Sequence, residues 1–413
     1  MKVCMLCPEI GNAGDHAFIG GAVNNVVRLS RALAQRGHQI TIVTTPHRYA
    51  GSEATNKIDW AEIVCLPVHH SYASVAYGMS YAWKSVLRTR QLEKSRKFDI
   101  VHGHSGYSMP ALITGACGRL SGVPAVHSIY CQIRPTRGSV VKALSNGALS
   151  HTYFGSVGTV IAINETVRSS LVTAGLKESK LRIVPLGIEL GKYHPEATGA
   201  EIRKQYGITP QQPVILYIGN MSEIKGIHIL IDALTTVAAQ VPDIRLFMVI
   251  NMPLDRYYSE TPGALDVDMK LLPRIKQIIR ERKLEQNVIP IGITDQLPQI
   301  ISACDMNVVP FLNTVGVADI PLSMVEAMAA GKPALATNVG SIPNLVNSAN
   351  GILLEPGHAD TLSQAILQLC RDTDRQKKMG HNAAQAVREL FSVDSCAAKI
   401  ETVYEEVGHR RES

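Results

Sequence analysis

Short β-rich apolar runs alternate with longer helical patterns along nearly the whole chain, and this alternation constrains the fold more than any other feature. Strands that return by way of a helix pair in parallel, so the pattern calls for parallel sheets covered by helices on both faces. In the first half the strand candidates are KVCMLC, QITIVTT, DIVHGH, PAVHSI, GTVIAIN and LRIVPLG; in the second they are PVILYIG, IRLFMVI, VIPIG, MNVVPF, PALATN and GILLE. Two such sets predict two doubly wound domains, which suits 413 residues, because one hydrophobic core rarely serves so long a chain.

The stretch GIELGKYHPEATGAEIRKQYGITPQQ (187–212) lacks sustained strand character and is rich in turn formers. The expected division is therefore an N-terminal acceptor-side domain over 1–190, a linker over 191–212, a C-terminal domain over 213–390, and a closing helix over 391–413 that packs back toward the N-terminal domain. The halves also echo each other. GVPAVHS (122–128) and GKPALAT (331–337) each follow a small-residue helix with Gly-x-Pro and a strand.

Composition narrows the class. Apolar residues make up 46% and charged residues 18%, the balance of a soluble globular chain. The formal charge of +6 is modest for the length and no Lys/Arg run is interleaved with aromatics, so no nucleic-acid partner is expected. No stretch approaches the roughly eighteen uninterrupted apolar residues of a membrane span, and MKVCMLCPEIG is too quickly broken for a secretory signal, so a cytoplasmic location is expected. The eight cysteines are scattered and read as free thiols. Cys4 and Cys7 form a C-x-x-C, but inside a first buried strand residues three apart point to opposite faces.

In open parallel sheets ligands gather beyond the carboxyl ends of the strands, and four places there carry chemistry. Gly20 and Gly21 directly precede a helix and let backbone approach a ligand at an anion-favouring helix N-terminus; a plain tight turn is the competing reading. His127 closes PAVHS, where a satisfied structural histidine competes with a ligand contact. In YIGNMSEIKGIHIL, Gly219 and Asn220 end a strand while Lys225 and Gly226 open the next helix, bringing an ammonium and helix amides to where a phosphate can bind; a solvated cation is the alternative. The fourth place is VADIPLSMVEAMAAGKPALAT (317–337), with Asp319 and Pro321 in a loop and Glu326 in a helix whose Leu322, Val325, Met328 and Ala329 face a core. Asp266 and Asp268 resemble a metal-binding acid pair but precede a helical pattern and follow no strand, so no metal is expected. Neither a nucleophile elbow nor a P-loop motif is present.

Together these places resemble the family-4 retaining glycosyltransferases, a nucleotide-sugar-dependent group with the GT-B fold. The resemblance runs over essentially the whole chain, through the Gly-Gly loop with LSRALAQRGHQITIVT, then DIVHGHS, GVPAVHS, IVPLGIE, YIGNMSEIKGIHILIDAL, IPLSMVEAMAAGKPALATNVGSIPNLV and GILLEPG. It implies an α/β protein of two Rossmann-like, doubly wound parallel-sheet domains facing a cleft. The implied activity is metal-independent, retaining transfer of a hexosyl group from a UDP- or GDP-sugar to a hydroxyl of a glycan, lipid-linked or small-molecule acceptor, in polysaccharide or glycolipid biosynthesis, with no further cofactor. By the same resemblance Glu326 is the second acid of a Glu-seven residues-Glu motif and binds the ribose hydroxyls, while Lys225 holds the diphosphate. Gly20, Gly21, Gly219, Asn220, Pro321 and Leu322 line the donor site, and His127, Lys225 and Asp319 are the expected catalytic residues, His127 holding sugar hydroxyls or the acceptor.

Three places depart from the family pattern. The first acid of the motif falls on Ala318, leaving Asp319 as its only nearby substitute, and the family's strand-end Arg falls on Asn220; VINMP replaces a Gly-rich turn. A catalytically impaired GT-B protein that binds nucleotide or glycan as a partner subunit therefore stays open as an alternative. On the acceptor side, AWKSVLRTRQLEKSRKFD carries Lys84, Arg88, Arg90, Lys94, Arg96 and Lys97 against Glu93, and IRPTRGSVVKAL adds Arg134, Arg137 and Lys142. These either rest on anionic lipid at the inner face of a membrane or form an ordinary solvated face.

Overall fold

The structure, a computed structural model, describes residues 1–8, 21–45, 57–68, 75–106, 108–133, 150–250, 252, 254–258, 271–314 and 317–409. The chain divides into two compact units: unit 1 is Met1–Gly187, Val315–Asp319 and Val393–Ser413, and unit 2 is Ile188–Thr314 and Ile320–Ser392.

Unit 1 is built on β1 (Lys2–Leu6), β2 (Gln39–Thr44), β3 (Lys57–Ile58), β4 (Ala61–Cys65), β5 (Ile100–Ser105), β6 (Ala125–Ile129), β7 (Thr159–Ala162) and β8 (Leu181–Ile183), in the order β3-β4-β2-β1-β5-β6-β7-β8. All pairs are parallel except β3 with β4. The expected six strands are present, and β3 and β4 add to them. AEIVC escapes notice because Glu62 and the half-exposed Cys65 interrupt its apolar run, and two residues are too few for β3 to display any period.

Side chains of β1 alternate between two cores, as the pleat requires. Val3 and Met5 pack with Val26, Leu29 and Leu33 of helix Gly21–Gln35 and with Ala397, Ile400 and Tyr404 of helix Val393–His409. Cys4 and Leu6 face the opposite layer, made by Tyr77, Tyr81 and Leu92 of helix Val75–Arg96 and by Ile113 and Cys117 of helix Met109–Ser121. Cys4 and Cys7 lie in different cores, and both are free thiols. The closing helix is fixed to unit 1 by Glu401, which accepts from Arg36 Nε at 2.7 Å and meets His38 Nε2 at 2.7 Å.

The described residues of unit 2 form six parallel strands, β9 (Val214–Gly219), β10 (Arg245–Ile250), β11 (Val288–Ile291), β12 (Met306–Val309), β13 (Ala334–Thr337) and β14 (Gly351–Leu354), in the order β11-β10-β9-β12-β13-β14. These are the six expected from the sequence. One core gathers Ile215, Tyr217, Leu246 and Met248 with Leu230 and Leu234 of helix Ile227–Gln240, Ile275 of helix Leu271–Glu281 and Ile366 of helix Ala359–Arg371. Residues 188–212 belong to this unit and include helix Ala200–Gln205, whose Arg203 donates to Ala303 O at 2.9 Å and pairs with Asp305 at 2.8 Å.

The echo between the halves has a structural basis. Helices Met109–Ser121 and Leu322–Ala329 end in the same way, with Gly122 (φ 68°) and Gly331 (φ 74°) in the left-handed region. Gly122 and Gly331 N–H donate to Arg119 O and Met328 O, and the following residues, Val123 and Lys332, donate to Gly118 O and Ala327 O at 2.9 and 3.0 Å. This left-handed cap favours Gly, and the Pro that follows prevents the helix from resuming before β6 or β13 begins.

Candidate functional site

In a doubly wound sheet the strand order reverses at one point, and the loops leaving the two strands there open a crevice at their carboxyl ends. In unit 2 that point lies between β9 and β12. Gly219 ends β9, and Tyr217 Oη donates to Asn220 O at 3.1 Å, holding the loop that follows. A Cβ at Gly219 would come within 2.7 Å of Tyr217 Oη and 3.1 Å of Lys225 Cδ, so any side chain there would displace both. The loop then turns through Glu223–Lys225 into Gly226, whose φ of 68° and position against Pro310 O leave no space for a side chain.

These constraints aim Lys225. Leu312 N–H donates to Ile224 O at 2.7 Å, so the Lys225 turn is fastened to the segment leaving β12, and the Lys225 ammonium stands 5.7 Å from the centre of the Phe311 ring. Thr337, ending β13, donates to Phe311 O at 2.6 Å and fixes that segment from the other side. Three strand ends therefore define one backbone frame with an ammonium at its edge, a chemistry suited to a diphosphate.

Glu326 lies in helix Leu322–Ala329 and is 4% exposed. Pro321, extended at φ −65° and ψ 127°, begins that helix; its carbonyl accepts Met324 N–H at 3.0 Å, and no side chain caps the helix start. Pro321 and Leu322 are buried and set the backbone there. An uncapped helix start combines orphan N–H donors with a positive dipole end, which favours an anion.

Asp319, fully buried, belongs to unit 1. Its Oδ1 accepts from Gln132 Nε2 at 2.6 Å and its Oδ2 from Asn164 Nδ2 at 3.0 Å. Both oxygens are thus engaged by side-chain amides of unit 1. Neighbouring Cys131 has its thiol pushed up to about 11, by burial first and by the Asp319 charge second.

His127, the other expected catalytic residue in unit 1, is enclosed by its own side-chain partners. It sits inside β6 at 0% exposure, with Nδ1 2.9 Å from Thr114 Oγ1, Nε2 2.8 Å from Ser105 Oγ and Phe154 edge-on to its ring. Both ring nitrogens are satisfied within unit 1, and burial lowers its pKa to about 3, so it is neutral. Gly103 on the adjacent strand makes this possible, because a Cβ there would lie 2.6 Å from His127 Nδ1.

His127 has company that the sequence reading missed. His102 and His104, alternate residues of the neighbouring β5, are buried on the opposite face of the sheet: His102 contacts Tyr404 Oη at 2.7 Å and Ser128 Oγ at 2.8 Å, and His104 contacts Tyr130 Oη at 2.6 Å. Asn25 Nδ2 donates to Tyr130 Oη at 3.3 Å, linking helix Gly21–Gln35 to the end of β6. The readable signal was two histidines at strand period in DIVHGHS, which puts both on one face.

Gly21 is the first residue of helix Gly21–Gln35, whereas Gly20, the Asp266–Asp268 pair, Arg134, Arg137 and Lys142 lie outside the described residues. Among the described residues no three His, Cys, Asp or Glu side chains are grouped to hold a metal ion, and no helix is long and apolar enough to cross a membrane.

Comparison with known proteins adds the family. The N-acetyl-alpha-D-glucosaminyl L-malate synthase of Bacillus anthracis is 21% identical over 423 residues, covering 98% of this chain and 97% of the relative. The D-inositol 3-phosphate glycosyltransferase of Jonesia denitrificans is 24% identical over 445 residues, covering 98% and 96%. Among solved structures, sucrose-phosphate synthase from Thermosynechococcus elongatus superposes with a TM-score of 0.76 at 20% identity, covering 98% of each chain. Anabaena HepE in complex with UDP gives 0.73 at 18% identity, covering 98% of this chain and all of the other. The Glycosyltransferase Family 4 model matches residues 19–192 and the Glycosyl transferases group 1 model matches 199–386, so both parallel-sheet domains are accounted for, and the chain belongs to the family-4 glycosyltransferases of GT-B fold.

Proposed function

We propose that the protein is a retaining hexosyltransferase that moves a sugar from a nucleoside-diphosphate sugar to a hydroxyl of a glycan, lipid-linked or small-molecule acceptor, without a metal. The observation that carries this reading is the frame after β9, where Gly219 lies against Tyr217 and Lys225, Gly226 admits no side chain, and Lys225 stands beside Phe311 at the switch point of unit 2. A UDP-bound structural neighbour supports uridine as the first base to try, with guanosine second. Relatives named for L-malate and D-inositol 3-phosphate support a small hydroxylated acceptor.

Breaking the bond between the anomeric carbon and the β-phosphate oxygen leaves negative charge on that oxygen, and donors fixed in advance lower the barrier most. Lys225 supplies the cation and the uncapped start of helix Leu322–Ala329 supplies N–H groups. The departing phosphate oxygen takes the proton of the acceptor hydroxyl as the new glycosidic bond forms on the same face of the sugar. Glu326 accepts hydrogen bonds from the ribose hydroxyls. His127 supports the interior of unit 1 and contributes no proton transfer. The setting is cytoplasmic, with peripheral contact to anionic membrane through the basic stretch around Lys84–Lys97 and no nucleic-acid partner.

A second reading has its own observation. Ala318 removes one acid, Asn220 replaces a cation, and Asp319 is engaged by Gln132 and Asn164. A binding subunit without turnover fits those losses. A thermal-shift screen of nucleoside diphosphates and their sugars, followed by product detection, separates the two readings. A transferase releases nucleoside diphosphate only when acceptor is supplied, whereas a binding subunit is stabilised by nucleotide and forms no product. No stabilisation by any nucleotide overturns both.

A further inference from the structure

Helix Val75–Arg96 turns an unusual face outward. Its inner side is ordinary, with Tyr77, Tyr81, Ser85, Thr89 and Leu92 buried over the sheet of unit 1. On the outer side Met79 is 65% exposed, Trp83 66% and Leu87 48%. Spaced four apart, these residues form one continuous stripe, and helical geometry places the exposed Arg90 and Lys94 on the same face beyond Leu87. The ridge from Met79 to Lys94 is about 22 Å long at 1.5 Å per residue. Exposed apolar side chains scattered singly need no explanation, but a Met-Trp-Leu stripe on the face where a surface helix is normally polar does.

The two tryptophans of the chain make the contrast plain. Trp60 donates from Nε1 to Ser30 Oγ at 3.0 Å and stacks under the Arg31 guanidinium at 4.0 Å, whereas Trp83 has no hydrogen bond or ring contact among the described residues. Helix Met109–Ser121 lies in the same layer over the sheet and exposes Leu112 and Leu120 in turn. Charge identifies the partner. The helix carries Lys84, Arg88, Arg90, Lys94 and Arg96 against Glu93, a net +4 within a chain of +6.

We propose that the Met79–Trp83–Leu87 ridge inserts into the interfacial region of an anionic phospholipid bilayer, with Arg90 and Lys94 on the headgroups. An amphipathic aromatic at the headgroup level, flanked by aliphatic side chains and followed by cations, is the composition that such an interface selects. A protein partner or second copy would gain from the apolar stripe but has no general need of the cations in line with it. The inference gives the peripheral contact proposed above a physical mode, insertion rather than surface attraction. It does not depend on the donor site.

The test uses the full chain with Trp60→Phe, leaving Trp83 as the sole tryptophan, and vesicles of phosphatidylcholine with or without phosphatidylglycerol. Binding to the anionic vesicles shifts Trp83 emission to the blue, and brominated acyl chains quench it. Salt screens the cationic contribution but not insertion, so molar salt weakens binding without abolishing it. The triple variant Met79→Ser, Trp83→Ser, Leu87→Ser loses about tenfold or more in partitioning, from the apolar area no longer buried, and binds no vesicles at molar salt. Its melting temperature and its response to nucleoside diphosphates stay those of the parent, which separates this inference from the transferase reading. If Trp60→Phe fails to fold, Trp83→Phe in the natural sequence gives the same readout by difference. The proposal is overturned if the parent ignores anionic vesicles, if it binds them with Trp83 emission unchanged, or if the triple variant binds equally well. It also falls if the triple variant merely converts a dimer to a monomer.

Discussion

The side-chain amide of Asn164 acts in two directions: its oxygen accepts Val167 N–H at 2.8 Å and caps helix Glu165–Thr173, while its nitrogen donates to Asp319 Oδ2 at 3.0 Å. Gln132 holds the other oxygen at 2.6 Å. One residue thus supports a helix start and satisfies half of a fully buried carboxylate, so its replacement separates the two roles.

Asn164→Ala removes both. Loss of an N-cap and of a hydrogen bond to a charged group together cost about 2–4 kcal/mol, read as a lower midpoint in chemical denaturation. Asn164→Asp keeps an oxygen for Val167 N–H but sets a second carboxylate against Asp319, and like charges in a buried site resist ionisation together. Its destabilisation therefore grows as pH rises out of the acid range. An Asn164→Asp chain with the stability of the parent at every pH would mean that Asp319 does not depend on this amide.

Lys225 lies on a turn held by backbone hydrogen bonds, from Lys225 N–H to Ser222 O and from Leu312 N–H to Ile224 O, so its removal should disturb binding more than folding. Its position over Phe311 is worth about 0.5–1 kcal/mol. For a nucleoside diphosphate, Lys225→Ala loses about 1.5–3 kcal/mol, roughly ten- to a hundredfold in affinity, and Lys225→Arg recovers part of it. A nucleoside without phosphates, titrated by calorimetry, binds parent and variant alike. Equal losses for nucleoside and diphosphate would remove Lys225 from the phosphate site.

Glu326 separates ribose from phosphate. Glu326→Gln keeps the shape of the side chain but turns a charged acceptor into a weaker one, so affinity for a nucleoside diphosphate falls by about 1–2 kcal/mol while affinity for inorganic diphosphate is unchanged. Competition between the two ligands, followed by thermal shift, measures this. A matching loss for inorganic diphosphate would move Glu326 away from the ribose.

How far the molecule was legible depends on the range of each cause. The strands of unit 2 and the two Gly-x-Pro helix ends follow from local periodicity and from chain chirality, which a sequence displays directly. β4 was hidden because Glu62 stands in a five-residue strand beside a two-residue partner. The switch-point rule drew attention to Gly219, Asn220 and Lys225, since strand ends are themselves local features. Asp319 and His127 read as site residues for the same reason, yet their surroundings are set at long range. Gln132 and Asn164 lie 187 and 155 residues from Asp319, and the Ser105 and Thr114 hydroxyls close on His127 from another strand and a helix. A sequence names the polar group, whereas the fold decides whether its hydrogen bonds are already made.

The three buried histidines of unit 1 predict its response to acid. Burial lowers His102 and His127 from 6.5 to about 3 and pushes His104 well below its ordinary value, with His102 and His127 adding to the effect on His104. A lowered folded-state value means that the unfolded chain takes up protons the folded one refuses. Stability is therefore complete above about pH 6.5 and is lost as pH falls from there toward 3, at up to about 1.4 kcal/mol per pH unit for each histidine. Denaturation midpoints should drop steeply on mild acidification. His127→Gln replaces the ring with an amide that cannot take up a proton, so its stability, lower at neutral pH from lost packing, falls less steeply with acid than that of the parent. Parallel pH profiles for the two chains would show that His127 remains outside the proton balance of unfolding.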